Sequence, residues 1–598
     1  MSLYSHHFIV ALILSAVGAA ACAGTLKKRL LALVLAPVVL YIFFYDYDYG
    51  LLGGPFPLVL SYVGGAFAVF LSLLTTSFCR SSAKEDYASH PLIKIFLSEF
   101  VVYLILFIIF TIPWAIDTFP LSNVEAVLFT VFAGENEGAE EFVISSFMEK
   151  VFFPVLWIFA VGLLVQIALS LVMVKWNLFY EIKLRRFRLS FNCRGVLPLL
   201  WQIQKALLMV FGIYAVILLL VLPGIVMSAP FKALIQQPVD SEFYRENYVH
   251  PDSVKIIAQD EPKNLVVIFL ESMEKNFAHH TPEIVRLEKS SLDFLPGGQD
   301  VSGTSWTIAA LTGKLCSIPL NMPMGIEEYL GKLPTYVPYA KCLMNVLADR
   351  KYNQLYIQGT SGEFTQKNDF WKAHGNVKVH DIKYYKSVGK IPEDYHVFWG
   401  FEDRKLFRLA KEELDSLANL DKPFAFYMLT VDTHLPRGWL DDSCRIALKS
   451  IGITDIKLNH FPEALRCASM QLESFITWIR VQPWFERTVI FVMGDHTSPF
   501  LSTKAGLPQS ENLHWTNFGI NLPIDKAKAY RPGRAYSSLD MFPTILESMG
   551  FELENHAVAL GRSLYADSPT LLEKYGQKAL DSLLRERSIQ YDYFLMGR

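Results

Sequence analysis

The 598 residues of this chain predict a multi-pass α-helical membrane domain followed by an α/β domain with a mostly parallel central sheet. Three observations predict it. Long apolar runs crowd the first 230 residues, short runs apolar on both faces alternate with helical patterns in the remainder, and polar residues gather where those short runs end. At 52% hydrophobic and 14% aromatic residues, the chain is also more apolar than water-soluble proteins usually are.

About 20 apolar residues cross a bilayer core. Runs of that order lie at 7–23, 30–46, 54–78, 95–115, 151–174 and 206–228. The first is flanked by His6 and His7 rather than Lys or Arg and is followed by further runs, so it reads as a retained span and not as a cleaved signal. Basic residues near span ends stay in the cytoplasm. Lys175, Lys183, Arg185, Arg186, Arg188, Arg194 and Lys205 stand against the single acid Glu181 in the loop after the fifth run. Lys27, Lys28 and Arg29 mark a second inside loop, and Arg80 with Lys84 a third. The acidic segment with Asp117, Glu125, Glu135, Glu137, Glu140 and Glu141 fits outside. The expected division is a transmembrane domain of about six helices over 1–228, a polar connector over 229–262, and an extracytoplasmic domain beyond it. The formal charge of −3 gives no basis for a nucleic-acid partner.

Cysteines agree with that topology. Cys22, Cys79 and Cys193 fall at the reducing side, whereas Cys316, Cys342, Cys444 and Cys467 fall outside, where disulfides persist. Four cysteines allow three pairings. Short loop closure favours Cys316–Cys342 with Cys444–Cys467; four buried free thiols are the alternative.

The extracytoplasmic part reads as LVVIFL (265–270), a helix from about Thr304, QLYIQ (354–358), PFAFYMLTV (423–431), a long helix through Leu465 to Arg480, and TVIFVMGD (488–495). Runs apolar on both faces and separated by helices indicate a parallel sheet covered on each side. Such sheets place their chemistry at the carboxyl ends of the strands. Glu271 directly follows the first run, His434 stands in TVDTHLP, and Asp495 with His496 follows the last run. Alone, an acid there is more often a cap and a histidine a packing residue. Together, two carboxylates and an imidazole can hold a divalent cation such as zinc or manganese. The hydroxyl-rich turn GTSWT would add a nucleophile.

GTSWTIAALTGKLCSIPL, VVIFLES, TVDTHLP and GDH, in this order, resemble the phosphoglycerol transferase branch of the alkaline phosphatase and sulfatase superfamily; the lipoteichoic acid synthases are more distant kin. QGTSGEFTQKNDFWKAHG, WGFEDR, the cysteines of DSCRIAL and RCASM, and PWFERTVIFV extend the likeness over roughly 263–565, leaving 566–598 as a helical tail. The resemblance implies an alkaline phosphatase/sulfatase-type domain, with one divalent ion (manganese, zinc or magnesium) held by Glu271, Thr304, Asp495 and His496. It also implies Thr304 as the nucleophile and His434 as a group that contacts phosphate or protonates a leaving group. Thr304 is preferred to Thr307 because it directly follows Gly303, where the amides of a following helix would face an anion. A threonine there also serves as an ordinary helix cap.

The implied reaction moves phosphoglycerol from phosphatidylglycerol to a periplasmic glycan, an osmoregulated glucan, through a phosphothreonine-type intermediate that releases diacylglycerol. The implied setting is the bacterial inner membrane, with the catalytic domain facing the periplasm and the lipid bilayer as partner. Two other readings stand beside it: phosphoethanolamine transfer to lipid A or another glycan, and a non-catalytic membrane-anchored sulfatase fold. Two departures matter. The Cys-x-Pro-x-Arg setting of sulfatases is absent at Thr304, which speaks against sulfate-ester hydrolysis. The histidine, tryptophan and arginine that lipoteichoic acid synthases carry after the strand ending here at Gln358 are replaced, with Phe364 and Lys367 the nearest substitutes.

Overall fold

The computed structural model describes residues 238–593 except 258–260, 321–336, 338, 435–437, 457–459 and 498–512; before them it describes 107, 110–111, 114, 147–157, 160, 179–184 and 187–192. The chain divides into two compact units, 1–121 with 143–228, and 122–142 with 229–598. In the first, the described residues include an antiparallel hairpin that pairs Phe179–Leu184 with Phe187–Asn192. The stretch read above as a basic loop therefore contains strands. The apolar runs 7–23, 30–46, 54–78 and 206–228 lie outside the described residues, as does most of 95–115 and 151–174. Among the described residues no helix is long and apolar enough to cross a membrane.

The second unit is built on a seven-stranded sheet of β1 (Asn264–Leu270), β2 (Leu292–Asp293), β3 (Asn353–Gln358), β4 (Lys378–His380), β5 (Phe424–Leu429), β6 (Thr488–Gly494) and β7 (Asn517–Ile520). Their order across the sheet is β2-β7-β6-β1-β5-β3-β4. The five strands from β6 to β4 are parallel, and β7 and β2 continue antiparallel at one edge. All four expected strands are present. Val267 of β1 stands level with Tyr427 of β5 and Phe491 of β6, which fixes the register at the centre.

The continuous apolar runs now have a physical reason. Along β1, Leu265, Val267 and Phe269 enter one buried core while Val266, Ile268 and Leu270 enter another on the opposite face. With both faces covered, the two-residue alternation of a strand leaves no polar member. The helices that matter are α1 (Pro282–Lys289), α2 (Thr307–Cys316), α3 (Leu343–Asp349), α4 (Lys367–Ala373), α5 (Asp403–Ala418), α6 (Asp442–Ser450), α7 (Phe461–Arg480) and α8 (Met541–Ser548). Side chains of α2, α3, α4 and α8 fill the first core, and those of α1, α5 and α7 the second.

The helix expected from about Thr304 starts three residues later, at Thr307. Trp306 is its cap residue, with an extended backbone (φ −143°, ψ 158°), so the stretch from Gly303 to Trp306 forms the approach to the helix and not its first turn. Cys316 at the end of α2 is bonded to Cys342 at the start of α3, and Cys444 of α6 to Cys467 of α7. The described part of the connector does not leave the domain. Its Phe243 and Tyr244 enter the first core together with Leu580 and Leu584 of the carboxyl-terminal helices, and Ile256–Ile257 pairs with Glu552–Leu553.

Candidate functional site

Because β6, β1, β5 and β3 are parallel neighbours, the residues that follow them share one edge of the sheet. Glu271 follows β1, Asp495 and His496 follow β6, and Thr430 to His434 follow β5. The structure brings Glu271, Asp495 and His496 together, with one potential ligand atom of each within 4.8 Å of the others. Glu271 and Asp495 are buried and His496 nearly so.

Backbone and hydroxyl contacts hold the trio in place. The Ser272 N–H donates to Asp495 Oδ1 at 2.7 Å, and the Ser272 hydroxyl to Glu271 Oε1 at 2.7 Å. The Glu271 N–H donates to the Thr430 hydroxyl at 3.0 Å, while Thr433 donates to the Glu271 carbonyl at 2.5 Å. Ser272 itself adopts φ 50°, a left-handed conformation that non-glycine residues seldom take and that is concentrated at functional sites.

The donor set fits a divalent cation. His496 Nδ1 lies 3.0 Å from the Thr497 carbonyl, which can only accept, so Nδ1 carries the proton and the lone pair of a neutral ring sits on Nε2. Nε2 is 3.5 Å from Asp495 Oδ2 and 3.8 Å from Glu271 Oε1. Asp495 Oδ2 is buried and makes no hydrogen bond of ordinary length among the described residues. Burial, joined by repulsion from Asp495, lifts the Glu271 carboxyl to about 8. Burial alone would lower His496, but the negative charges of Asp495, Glu271 and Asp300 overcome it and raise the imidazole to about 9. Without a metal the site thus retains protons where a cation would sit. Asp441, Cys444 and Cys467 also lie close together, but both thiols are consumed in the disulfide.

The two threonines part company. Thr304 is fully buried; its hydroxyl accepts the Val301 N–H at 2.9 Å and donates to the Val301 carbonyl at 2.8 Å. Its methyl group packs against Gly313, where an added Cβ would come within 3.0 Å. Thr307 is partly exposed and opens α2, so the free amides of the first helical turn lie beside it. Seven residues are nearly two turns, so Thr307 and Lys314 share a face of α2. Lys314 is buried and donates to the Asp495 carbonyl at 2.6 Å and the Ser538 hydroxyl at 3.0 Å, above the Trp515 ring. That contact ties α2 to the β6 end.

His434 lies on the loop after β5 and packs on Trp399, with ring centroids 4.5 Å apart. Lys367, at the start of α4, is buried; desolvation lowers its ammonium to about 8, against the pull of Glu271, Asp381 and Asp495. Lys314 falls to about 8 for the same first reason, offset by Asp300 and Asp495. Sequence reading passed over Lys314, Asp300 and Ser272. Lys314 had a visible signal, a lone cation inside the apolar run of α2, while Asp300 and Ser272 had none.

Residues 263–551 match the sulfatase family. Phosphoglycerol transferase I of Xanthomonas campestris pv. campestris (strain B100) is 29% identical over 371 residues, covering 60% of this chain and 51% of that protein. The namesake from Escherichia coli (strain 55989 / EAEC) is 30% identical over 362 residues, covering 58% and 46%. The chain spans about half the length of these curated relatives. A crystal structure of an alkaline phosphatase superfamily protein from Vibrio parahaemolyticus is 18% identical, covers 58% of this chain and 79% of that one, and has a TM-score of 0.41. The mostly parallel α/β domain is therefore of sulfatase type over residues 263–551, in a chain that resembles phosphoglycerol transferase I.

Proposed function

We propose that the chain is a membrane-anchored phosphotransferase that moves phosphoglycerol from phosphatidylglycerol to a periplasmic glycan, with Thr307 rather than Thr304 as nucleophile. One observation carries this reading. Glu271, Asp495 and His496 converge at the carboxyl ends of β1 and β6, tied through Lys314 to the helix that Thr307 opens. The relatives' name supplies the donor class.

A divalent cation held by Glu271, Asp495 and His496 would supply positive charge that favours an alkoxide and offsets charge on the phosphoryl oxygens. The Thr307 oxygen then forms a bond to phosphorus, its proton passes to solvent, and the bond from phosphorus to the diacylglycerol oxygen breaks. The departing alkoxide takes a proton, a role we assign to His434 on the loop after β5. A glycan hydroxyl next attacks phosphorus, and the Thr307 oxygen leaves and is reprotonated. Amides of the first turn of α2 would stabilise the phosphoryl charge through both displacements, and the buried Lys367 ammonium, which feels the charges of Glu271 and Asp495, would add to that field. Anchoring in the bilayer keeps the site beside a donor that never enters bulk water.

The test is mass spectrometry of the tryptic peptide ending at Lys314 after incubation of the full chain with phosphatidylglycerol. A glycerophosphoryl group on Thr307 supports the reading, and an unmodified peptide with intact lipid refutes it. An adduct formed only from phosphatidylethanolamine selects ethanolamine phosphate as the cargo instead.

A further inference from the structure

Beyond the trio, the same edge of the sheet carries an aromatic ridge that the chemistry above does not use. Phe398 and Trp399 form the tip of a tight turn. The Val397 N–H donates to the Gly400 carbonyl at 2.7 Å, and the Gly400 N–H to the Val397 carbonyl at 2.9 Å. The turn is clamped to the carboxyl end of β3: Gly400 pairs with Thr360, and the Phe401 N–H donates to the Gly359 carbonyl at 3.0 Å. No side chain fits in the clamp, since a Cβ on Gly400 would stand 2.0 Å from the Gly359 carbonyl oxygen.

Glycine or asparagine is expected where such a turn takes a left-handed backbone. This chain places Phe398 there, at φ 54°. A bulky residue held against its preference persists only where its surroundings enforce it, and such strain clusters at binding sites. What it achieves is visible in the rings. Phe398 stacks on Trp439, with centroids 6.1 Å apart and planes 17° apart; Trp399 lies 5.9 Å from Phe364 and 4.5 Å from His434. Phe364 in turn lies 4.8 Å from the Lys367 ammonium. All four aromatic residues are half-buried. β3 is two strands from β1, so the strand ends that carry the turn's clamp and Glu271 are roughly 10 Å apart across the sheet.

We propose that this ridge, Trp439–Phe398–Trp399–Phe364, is the acceptor subsite and stacks on a pyranose ring of the glycan, a proposal that rests on the transferase reading above. A pyranose offers C–H bonds on its faces and hydroxyls around its rim. The ridge offers ring faces bordered at one end by the exposed Arg404, which reaches Asp441 at 3.5 Å; at the other end the Lys367 ammonium is buried beside Phe364 and donates to the Phe364 carbonyl at 2.8 Å. A lipid chain laid there would strip water from the Arg404 guanidinium without replacing its hydrogen bonds. Sugar hydroxyls would replace them.

The experiment uses the full chain in detergent with metal removed by a chelator, so that no transfer occurs, and titrates it with a linear gluco-oligosaccharide by calorimetry. Saturable binding is expected, weakened about tenfold in Trp439→Ala and largely kept in Trp439→Phe. Phe398→Gly is expected to weaken binding similarly while its Tm stays level or rises, because glycine accepts the left-handed backbone. Absence of binding by the unsubstituted chain, or equal affinity in all variants, overturns the proposal. So does weaker affinity of Trp439→Ala for phosphatidylglycerol vesicles with sugar affinity unchanged, which would make the ridge a lipid platform. The donor reading is judged separately by the adduct on Thr307 of the unsubstituted chain, so either idea can fail alone.

Discussion

The hydroxyl of Thr304 is closed on Val301, accepting its N–H at 2.9 Å and donating to its carbonyl at 2.8 Å. A nucleophile needs its oxygen free to approach phosphorus, and this one is buried and engaged twice. Thr307→Ala should therefore abolish the covalent intermediate and lower transfer by about 10³-fold or more, with an unchanged Tm. Thr304→Val should behave in the opposite way. It leaves the buried Val301 N–H without its acceptor, which costs about 1–3 kcal/mol, while the folded fraction keeps forming the adduct. Denaturant melts and adduct mass spectrometry on both variants check the pair; an adduct in Thr307→Ala sinks the assignment.

The raised Glu271 and His496 groups make a prediction about pH. Glu271 moves from an ordinary 4.5 to about 8 and His496 from 6.5 to about 9. In both cases the folded chain binds protons more tightly than the unfolded chain, so stability of the metal-free protein falls as pH rises from about 5 to 9. A bound divalent cation takes the place of those protons. Manganese or zinc should then raise Tm by several degrees, with a larger gain at pH 8 than at pH 6. Calorimetric scans with and without chelator at the two pH values test this, and a metal gain equal at both contradicts it. Asp495→Asn should remove the metal effect altogether.

The strands were legible because burial on both faces turns β1, β5 and β6 into unbroken apolar runs, a pattern that survives in one dimension. Glu271, Asp495 and His496 were legible for a related reason: a parallel sheet forces residues that follow its strands onto one edge. The start of α2 was not. In GTSWT the position directly after Gly303 favoured Thr304 as the helix opener, and only the extended backbone of Trp306 and the return of the Thr304 hydroxyl to Val301 put the start at Thr307. The docking of the connector was hidden too, since Phe243 and Tyr244 find their partners more than 300 residues away, in the carboxyl-terminal helices.

Lys314 supplies a third prediction. Its buried ammonium holds the Asp495 carbonyl and the Ser538 hydroxyl, and it feels the charge of the partly buried Asp300 carboxylate. Lys314→Met keeps the length of the side chain and removes the charge, leaving the buried Asp495 and the partly buried Asp300 without their cation. The expected loss is about 3 kcal/mol of stability. Weaker metal binding should accompany it, because the Asp495 backbone loses its anchor. Urea unfolding and metal titration of this variant measure both, and full stability with unaltered metal affinity would show that the cation is incidental.

The two disulfides give the last prediction, because they close loops of nearly equal length. Cys316–Cys342 spans 26 residues and Cys444–Cys467 spans 23. By loop entropy each restrains the unfolded chain to a similar degree, about 3.5 kcal/mol, so replacing either pair with alanine should lower stability by comparable amounts. Their effects on the site should differ. Cys316–Cys342 pins the end of α2, the helix that carries Thr307 and Lys314, whereas Cys444–Cys467 joins α6 to α7 on the opposite side of the sheet. Loss of the first pair should therefore also reduce adduct formation per folded molecule, and loss of the second should not. Unfolding curves without reductant, combined with adduct yield on each double variant, decide this; equal loss of adduct in both would place the two bonds in one mechanical unit.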